Sequence, residues 1–196
     1  MPRAGLTRAA VVAAAVEAVD AGGATGFADL TLASIAVAAG VAVPSLYKHV
    51  SSLADLRREV AIVSVNQLTA AMTDATTGRA KGDAVRGMAD AIRGFARRHP
   101  GRYAAAQVAP RLDDPADAEL ALAAARTVDV AAAVLRGFEL PAEDTIDSIR
   151  IVRSAVHGFV SLELGGGFGL PDDLDHTFGM LVDTVVAGIE NLVRTH

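Results

Sequence analysis

The sequence predicts an all-α fold of about nine helices, arranged as three followed by six. Apolar residues make up 52% of the chain, and runs of alanine, the strongest helix former, recur along it, as at 13–15, 104–106 and 123–125. Apolar positions repeat at spacings of three and four, as on one face of a helix. Aromatic residues are only 4% of the chain, so alanine, valine and leucine must fill the core.

The first three predicted helices are short. Side chains that can cap a helix, glycines that can end one and a proline suited to a first turn mark their limits. These residues are Thr7 and Gly22 for the first helix, Thr31 and Gly40 for the second, and Pro44 for the start of the third. Leu46 and Val50, four residues apart, would form the buried face of the third helix.

Six further helices are predicted after residue 52. The fourth is long, and its apolar stripe shifts midway, which indicates that it packs first on the N-terminal unit and then on the C-terminal one. The expected limits are Ser51 or Ser52 before the fourth helix, residues 76–82 and His99-Pro100-Gly101 around the fifth, 103–108 for the sixth, Asp114 or Asp117 at the start of the seventh, Pro141 and Gly165 around the eighth, and Asp172 or Asp173 at the start of the ninth.

Several classes of protein are disfavoured by composition. The chain has no cysteine, which excludes disulfides and thiolate metal sites, and no apolar run reaches the roughly 18 residues of a membrane span. The N-terminus lacks the apolar core of a signal peptide, so we expect a cytoplasmic protein. The five histidines form no ligand pair, and no acid/base or nucleophile cluster is found. We therefore predict no metal, no cofactor and no enzymatic activity.

Residues 31–50 have the pattern of a helix-turn-helix. Ala36 is small where two helices must cross closely, Gly40 allows the tight turn, and Val41 fills it from the core side. The side chains that would hold the helix pair at a fixed angle are Ile35, Leu46 and Val50. An ordinary helical hairpin inside a bundle is the alternative interpretation of this pattern.

The outer face of the third helix would be free to enter the major groove of DNA. Val43 and Pro44 can contact thymine methyl groups, and Lys48 can reach a phosphate or a guanine. Residues 1–60 carry five basic and five acidic side chains, so the whole net charge of −5 lies in residues 61–196. That neutral segment fits a specific binder with few phosphate contacts. The predicted DNA-binding residues are Thr31, Ala42, Val43, Pro44, Ser45, Tyr47, Lys48 and His49.

Over residues 6–60 the chain resembles the TetR family of transcriptional regulators. The matching runs are LTLASIAVAAGVAVPSLYKHV at 30–50 and SSLADLRREV at 51–60. The C-terminal half is similar, in FARRHPGRY at 95–103 and VHGFVSLELGGGFG at 156–169, to the subgroup with a WHG-type C-terminal domain, although the tryptophan of that name is absent. Leu53 and Ala33 replace a lysine and an arginine that are frequent in the family, which implies fewer phosphate contacts.

The resemblance implies a DNA-binding domain at 1–52 and a ligand-binding and dimerisation domain at 53–196. It implies a repressor that binds palindromic double-stranded operator DNA as a homodimer, associated with the nucleoid, and is released by a small apolar ligand. The candidate ligand-binding residues are Met72, Met88, Ile92, Phe95, Tyr103, Val128, His157 and Phe159. The candidate dimer-interface residues are Val152, Val156, Phe178, Val182, Val185 and Ile189.

Two alternatives remain open at this point. Each candidate ligand-binding residue could be plain core, and His157 could be a core or interface histidine. The chain as a whole could be a helical-bundle protein that binds a small molecule or lipid and has no affinity for DNA. Retardation of DNA by the purified protein would discriminate between the regulator and this bundle protein.

Overall fold

The computed structural model describes residues 6–171 and 173–194. Within those residues the chain forms nine α-helices and no strand, which confirms the predicted all-α class. None of these helices is both long enough and apolar enough to span a membrane. The helices are α1 (Arg8–Ala21), α2 (Leu32–Ala39), α3 (Val43–Leu46), α4 (Leu53–Thr76), α5 (Lys81–Arg98), α6 (Pro100–Ala105), α7 (Ala118–Arg136), α8 (Ala142–Leu164) and α9 (Leu174–Arg194).

The chain divides into two compact units. The described parts of the first are 6–66 and 99–123, and those of the second are 67–98, 124–171 and 173–194. The first unit therefore contains α6 and the start of α7 in addition to the helix-turn-helix. The functional boundary predicted between residues 52 and 53 remains a prediction.

The first unit has a smaller apolar cluster at Ala61, Ile62, Val65, Leu120 and Ala123, and it is built mainly around one larger apolar core. Helix α1 packs against α2 and α6, and α2 packs against α3. Thr7 caps α1 as predicted, since its side chain accepts a hydrogen bond of 3.1 Å from the amide of Ala10. Ser52, not Ser51, caps α4 by accepting 3.0 Å from the amide of Asp55. The buried side chains of this core include Val11, Val19, Leu30, Ile35, Leu46, Val50, Leu56, Val60 and Ala105.

Helix α6 begins earlier than predicted. The sequence indicated a helix at 103–108, with Pro100 as part of a break, whereas the helix starts at Pro100. The N–H groups in the first turn of a helix have no acceptor within the helix, so the N–H that proline lacks is not missed there. Pro100 therefore begins this helix instead of ending the previous one. Gly101 follows it, and a Cβ there would lie 2.5 Å from the carbonyl oxygen of Val19. The absent side chain thus allows α6 to approach α1.

Gly101→Ala is expected to destabilise the first unit by about 1–3 kcal/mol, because the added methyl meets backbone atoms that cannot rotate away. Thermal unfolding followed by circular dichroism measures the effect. Gly179→Ala in α9 is the control, since a Cβ there meets no atom within 4 Å. Equal melting temperatures for Gly101→Ala and the parent would show that α6 can shift freely.

The second unit packs α5, α8 and α9 against one another. Asp173 caps α9, because its Oδ1 accepts from the amides of Asp175 at 2.9 Å and His176 at 3.2 Å. Asp172, the alternative cap, lies outside the described residues. The buried side chains here include Met72, Val85, Met88, Phe95, Leu135, Phe138, Val152, Val156, Phe159, Val160, Phe178, Val182, Val186 and Ile189.

Candidate nucleic-acid interface and C-terminal core

Helix α2 and its turn have the predicted geometry. Thr31 forms a capping box with Ser34, in which the Ser34 amide donates to Thr31 Oγ1 at 3.1 Å and the Thr31 amide donates to Ser34 Oγ at 3.3 Å. Gly40 ends the helix at φ 64°, in the left-handed region that favours glycine. The amide of Val41 then returns to the carbonyl of Ala36 at 3.0 Å. These bonds fix the direction in which the chain enters α3.

The recognition segment, residues 43–50, is one helical turn followed by a tight turn. Helix α3 ends at Leu46 and is shorter than the sequence indicated. The carbonyl of Leu46 accepts from the amides of His49 at 2.8 Å and Val50 at 3.0 Å, which holds the turn closed. Leu46 and Val50 are buried, as predicted, so the segment is anchored to the core at two points.

The predicted DNA-binding residues divide by exposure. Tyr47 is 56% exposed, and Lys48 and Pro44 are also exposed. Val43 is half-buried and packs against the core of the first unit, so only part of its side chain is available for a thymine methyl. The other exposed members are Thr31 and Ala42, and the other half-buried ones are Ser45 and His49.

Arg8 forms a polar network that sequence reasoning missed. Its Nη1 donates to the carbonyl of His49 at 2.8 Å and to Asp55 Oδ2 at 3.1 Å. Its Nη2 donates to Asp55 Oδ1 at 2.8 Å and to Glu59 Oε1 at 2.5 Å. One side chain at the start of α1 therefore contacts both the recognition segment and the start of α4. The spacing of Asp55 and Glu59, four apart on one helix face, was the available signal.

Asp55 is the centre of this network. Its Oδ2 also accepts from the amide of Ser51 at 2.9 Å and from the Ser51 hydroxyl at 3.1 Å. The hydrogen bond from Arg8, aided by these bonds from Ser51, lowers the pKa of Asp55 to about 2 against the opposing effect of burial. The carboxylate is therefore ionised throughout the physiological range, and the network persists there.

A second acidic centre lies further along the first unit. Arg58 Nε lies 2.5 Å from Asp117 Oδ1, and the amide of Arg111 donates to Asp117 Oδ2 at 2.9 Å. The Arg111 amide, followed by the Arg58 side chain, lowers the pKa of Asp117 to about 2. Arg58 also lies 3.9 Å from Asp55. The side chain of Arg58 is thus directed to carboxylates of the same chain, where it stabilises the first unit.

The candidate ligand-binding residues are only partly brought together. Met72, Met88, Phe95 and Phe159 are buried in the second unit, and Ile92 and His157 are half-buried there. Two members lie elsewhere: Tyr103 is buried in the first unit, and Val128 is 41% exposed.

Val128 is exposed because the buried stripe of α7 passes one residue earlier. Thr127 is half-buried, and its Oγ1 lies 2.6 Å from Oγ1 of Thr69. A threonine with a hydroxyl partner can occupy an interior position that apolar periodicity assigns to its valine neighbour. The pattern of apolar residues alone could not indicate this exchange.

His157 lies half-buried on α8. Its Nε2 is 3.4 Å from the hydroxyl of Ser161. Burial, with a smaller effect from Arg153, lowers the pKa of His157 below its ordinary value. The imidazole is therefore neutral near pH 7 and can both donate and accept one hydrogen bond.

A buried arginine in the second unit also escaped sequence reasoning. Arg93 of α5 is only 7% exposed, and it donates to Glu163 of α8 from Nε at 2.8 Å and from Nη2 at 2.6 Å. Its Nη2 also lies 2.8 Å from Asp175 of α9. The guanidinium carbon sits 4.8 Å from the ring centre of Phe178, within cation–π range. One side chain thus ties together α5, α8 and α9.

The candidate dimer-interface residues are mostly core residues of a single protomer. Val152, Val156, Phe178, Val182 and Ile189 are all buried, and Val185 is half-buried. The apolar periodicity is real, but it marks the side of α8 and α9 that faces their own unit. These five side chains are buried within one protomer, so they offer almost no exposed surface to a second copy.

The outward side of the same helices carries a different uncharged stripe. On α8 it consists of Ile151, Ala155, Gly158 and Leu162, which recur at spacings of four, three and four. Ile151 and Leu162 are about half exposed, and a Cβ at Gly158 would meet nothing within 4 Å. On α9 Met180 is 59% exposed. Exposed apolar side chains on two neighbouring helices are typical of an interaction surface.

Comparison with known proteins finds similarity to transcriptional regulators both in a family model and in a relative that covers most of the chain. Residues 85–185 match a family model described as "Tetracyclin repressor-like, C-terminal domain". An uncharacterized HTH-type transcriptional regulator of Mycobacterium tuberculosis is 36% identical over 187 residues, which are 94% of this chain and 82% of that protein.

Solved structures show the same fold. A Rhodococcus protein of unknown function superposes with a TM-score of 0.77 at 21% identity, covering 95% of this chain and 97% of that one. A variant of the Acinetobacter baumannii TetR, solved in complex with minocycline, superposes with a TM-score of 0.66 at 20% identity, covering 96% and 98%. The family-model match at 85–185 also contains both C-terminal runs, 95–103 and 156–169.

Proposed function

Because the chain belongs to the TetR family of helix-turn-helix transcriptional regulators, we propose that it is a cytoplasmic, nucleoid-associated repressor that binds a palindromic operator as a homodimer. The observation that supports this most directly is the exposed pair Tyr47 and Lys48 on a segment anchored by buried Leu46 and Val50. Polar tips on a rigid turn lose little entropy on binding, which favours specific contacts.

The contacts of the proposed complex follow from exposure. Lys48 contacts phosphate or guanine, and the Tyr47 hydroxyl contacts phosphate oxygens. Pro44 and the exposed part of Val43 contact thymine methyl groups. The hydroxyl of Thr31 accepts from the Ser34 amide and donates to Ser34 Oγ at 3.2 Å, so in the complex a phosphate at the start of α2 takes the place of Ser34 Oγ as the acceptor of that proton.

We further propose that a small apolar ligand bound in the second unit releases the operator. The A. baumannii structure, which carries minocycline, supports a small organic effector for this fold. Met72, Met88, Phe95 and Phe159 supply an apolar interior in that unit, and Arg93 with Glu163 adds charge. A ligand needs only about 1.4 kcal/mol of coupling to lower operator affinity tenfold.

Selection of binding sites from random double-stranded DNA tests the DNA-binding proposal. The expected product is a palindrome whose half-sites are about one helical turn apart or somewhat further. A gel shift on the DNA flanking the protein's own gene, with and without candidate ligands, then tests release. Failure to retain any DNA at low salt would reject the proposal and favour the bundle protein that binds only small molecules.

Leu53→Lys is expected to tighten operator binding and to steepen its salt dependence. Leu53 is half-buried at the start of α4, where a lysine is frequent in the family, and a long side chain there could bury its stem and extend its amine. One added phosphate contact raises the slope of log K against log salt by about 0.9. Fluorescence anisotropy at four salt concentrations measures the slope, and an unchanged slope would place position 53 away from phosphate.

A further inference from the structure

We propose that Arg8 is the positioning residue of the recognition segment, holding residues 47–49 in their DNA-binding geometry without itself contacting DNA. The inference rests on the proposed function and adds a residue that lies outside the helix-turn-helix. Its basis is the hydrogen bond from Arg8 Nη1 to the carbonyl of His49, the last residue of the exposed turn.

The guanidinium of Arg8 is almost fully used within the chain. Its two terminal nitrogens carry four N–H groups, and these meet the His49 carbonyl, both oxygens of Asp55 and one oxygen of Glu59. Within the described residues, only the Nε proton of Arg8 is left without an acceptor. A guanidinium that also faces two carboxylates is electrostatically compensated, so it has little to offer a phosphate.

The bond from Arg8 to the His49 carbonyl adds an anchor from outside the helix-turn-helix. The segment is held at its start by Gly40 and the capped α2, and from beneath by buried Leu46 and Val50. Helix α3 is only four residues long, and two bonds from the amides of His49 and Val50 to the Leu46 carbonyl close the turn at 47–49, so one further bond from outside the segment adds appreciably to its hold. Arg8 connects the end of this turn to the first turn of α4 through Asp55.

The bidentate geometry assigns the role to arginine specifically. A lysine at position 8 would keep the positive charge, but a single ammonium cannot match the planar pair of bonds to Asp55 while also reaching the His49 carbonyl. Arg8→Lys therefore keeps the charge at position 8 and removes the geometry of the hydrogen bonds. A loss of operator affinity in this variant indicates positioning of the turn, because long-range attraction of DNA needs only the charge.

The test compares Arg8→Ala and Arg8→Lys with a matched control, Arg58→Ala. Arg58 is an arginine of the same first unit whose bonds go to Asp117 and Asp55, with none to residues 43–50 in the described structure. Operator affinity and its salt dependence are measured by fluorescence anisotropy, stability by thermal unfolding, and opening of the turn by hydrogen exchange at the amides of His49 and Val50 without DNA.

We expect Arg8→Ala and Arg8→Lys each to lose at least about tenfold in operator affinity with the salt slope unchanged. Hydrogen exchange at the amides of His49 and Val50 should be faster in both variants. Arg58→Ala should keep the operator affinity and the exchange rates of the parent, even if its melting temperature falls as far as that of the Arg8 variants. Parent-like affinity in Arg8→Lys, a slope lower by about 0.9, or an equal affinity loss in Arg58→Ala would each overturn the inference. A parent protein that binds no DNA would reject the proposed function itself, a result visible before any variant is made.

Discussion

Tyr47→Ala combined with Lys48→Ala is expected to lower operator affinity about 100-fold while leaving helix content and oligomeric state unchanged. A hydrogen bond to a charged group such as phosphate contributes roughly 1.5–3 kcal/mol, so removing both side chains should cost about 2.7 kcal/mol or more. Both side chains are exposed, so neither contributes appreciably to the core. Fluorescence anisotropy on the selected operator measures the affinity.

The matched control for this double variant is Leu122→Ala with Arg136→Ala. Both residues are exposed on α7, and the pair again removes one large side chain and one cation. Removing one positive charge weakens attraction to DNA from anywhere on the protein, and the control measures that general effect. An affinity loss as large in the control as in the Tyr47 and Lys48 variant would mean that the recognition segment has no special part in binding.

The elements around the helix-turn-helix were predictable because local chemistry determines them. Thr31 and Gly40 act at their own positions, as a cap and as a residue that tolerates positive φ, and neither depends on distant parts of the chain. Leu46 and Val50 follow from a spacing of four. The start of α6 at Pro100 was missed because proline both ends one helix and begins the next, and sequence alone does not choose between the two.

The polar networks were not predictable because they join residues distant in sequence. Arg8 and Asp55 are 47 positions apart, and Arg93 and Glu163 are 70 apart. A charged side chain at an ordinary surface spacing gives no sign that a partner will fold against it. Arg93 in particular lies on the mainly buried side of α5, where only the arrival of α8 and α9 makes a charge tolerable.

Apolar periodicity identified which faces of α8 and α9 are buried, but it could not indicate whether the protomer's own unit or a second copy of the chain buries them. A helix that packs on its own unit on one side and on a second copy on the other needs two apolar stripes. The stronger stripe, with Val152, Val156 and Phe159, belongs to the core of the protomer. The outward stripe is easily overlooked because alanine and glycine occupy its middle, although small residues are what allow two helices to approach closely.

Ile151→Glu is therefore expected to convert the proposed dimer into a monomer with unchanged helix content. Ile151 is 50% exposed on the outward stripe of α8, so the isolated protomer can accommodate a carboxylate there. A twofold interface would bury two copies of it, and an unpaired buried charge costs several kcal/mol. Sedimentation velocity at one concentration measures the shift, and operator affinity should fall because each monomer can then reach only one half-site.

Ile146→Glu provides a closely matched control on the same helix. Ile146 is the same residue type with 48% of its surface exposed, but it lies five positions from Ile151 and so points about 140° away around α8. If the outward stripe is the interface, Ile151→Glu sediments as a monomer and Ile146→Glu as a dimer. Two dimers would place the interface on another surface, and two monomers would mean that added charge anywhere on α8 weakens association.

Val182→Glu distinguishes the effect of a charge in the protomer core from that of a charge in the interface. Val182 is a core residue, so this variant should unfold the protomer instead of only dividing the dimer.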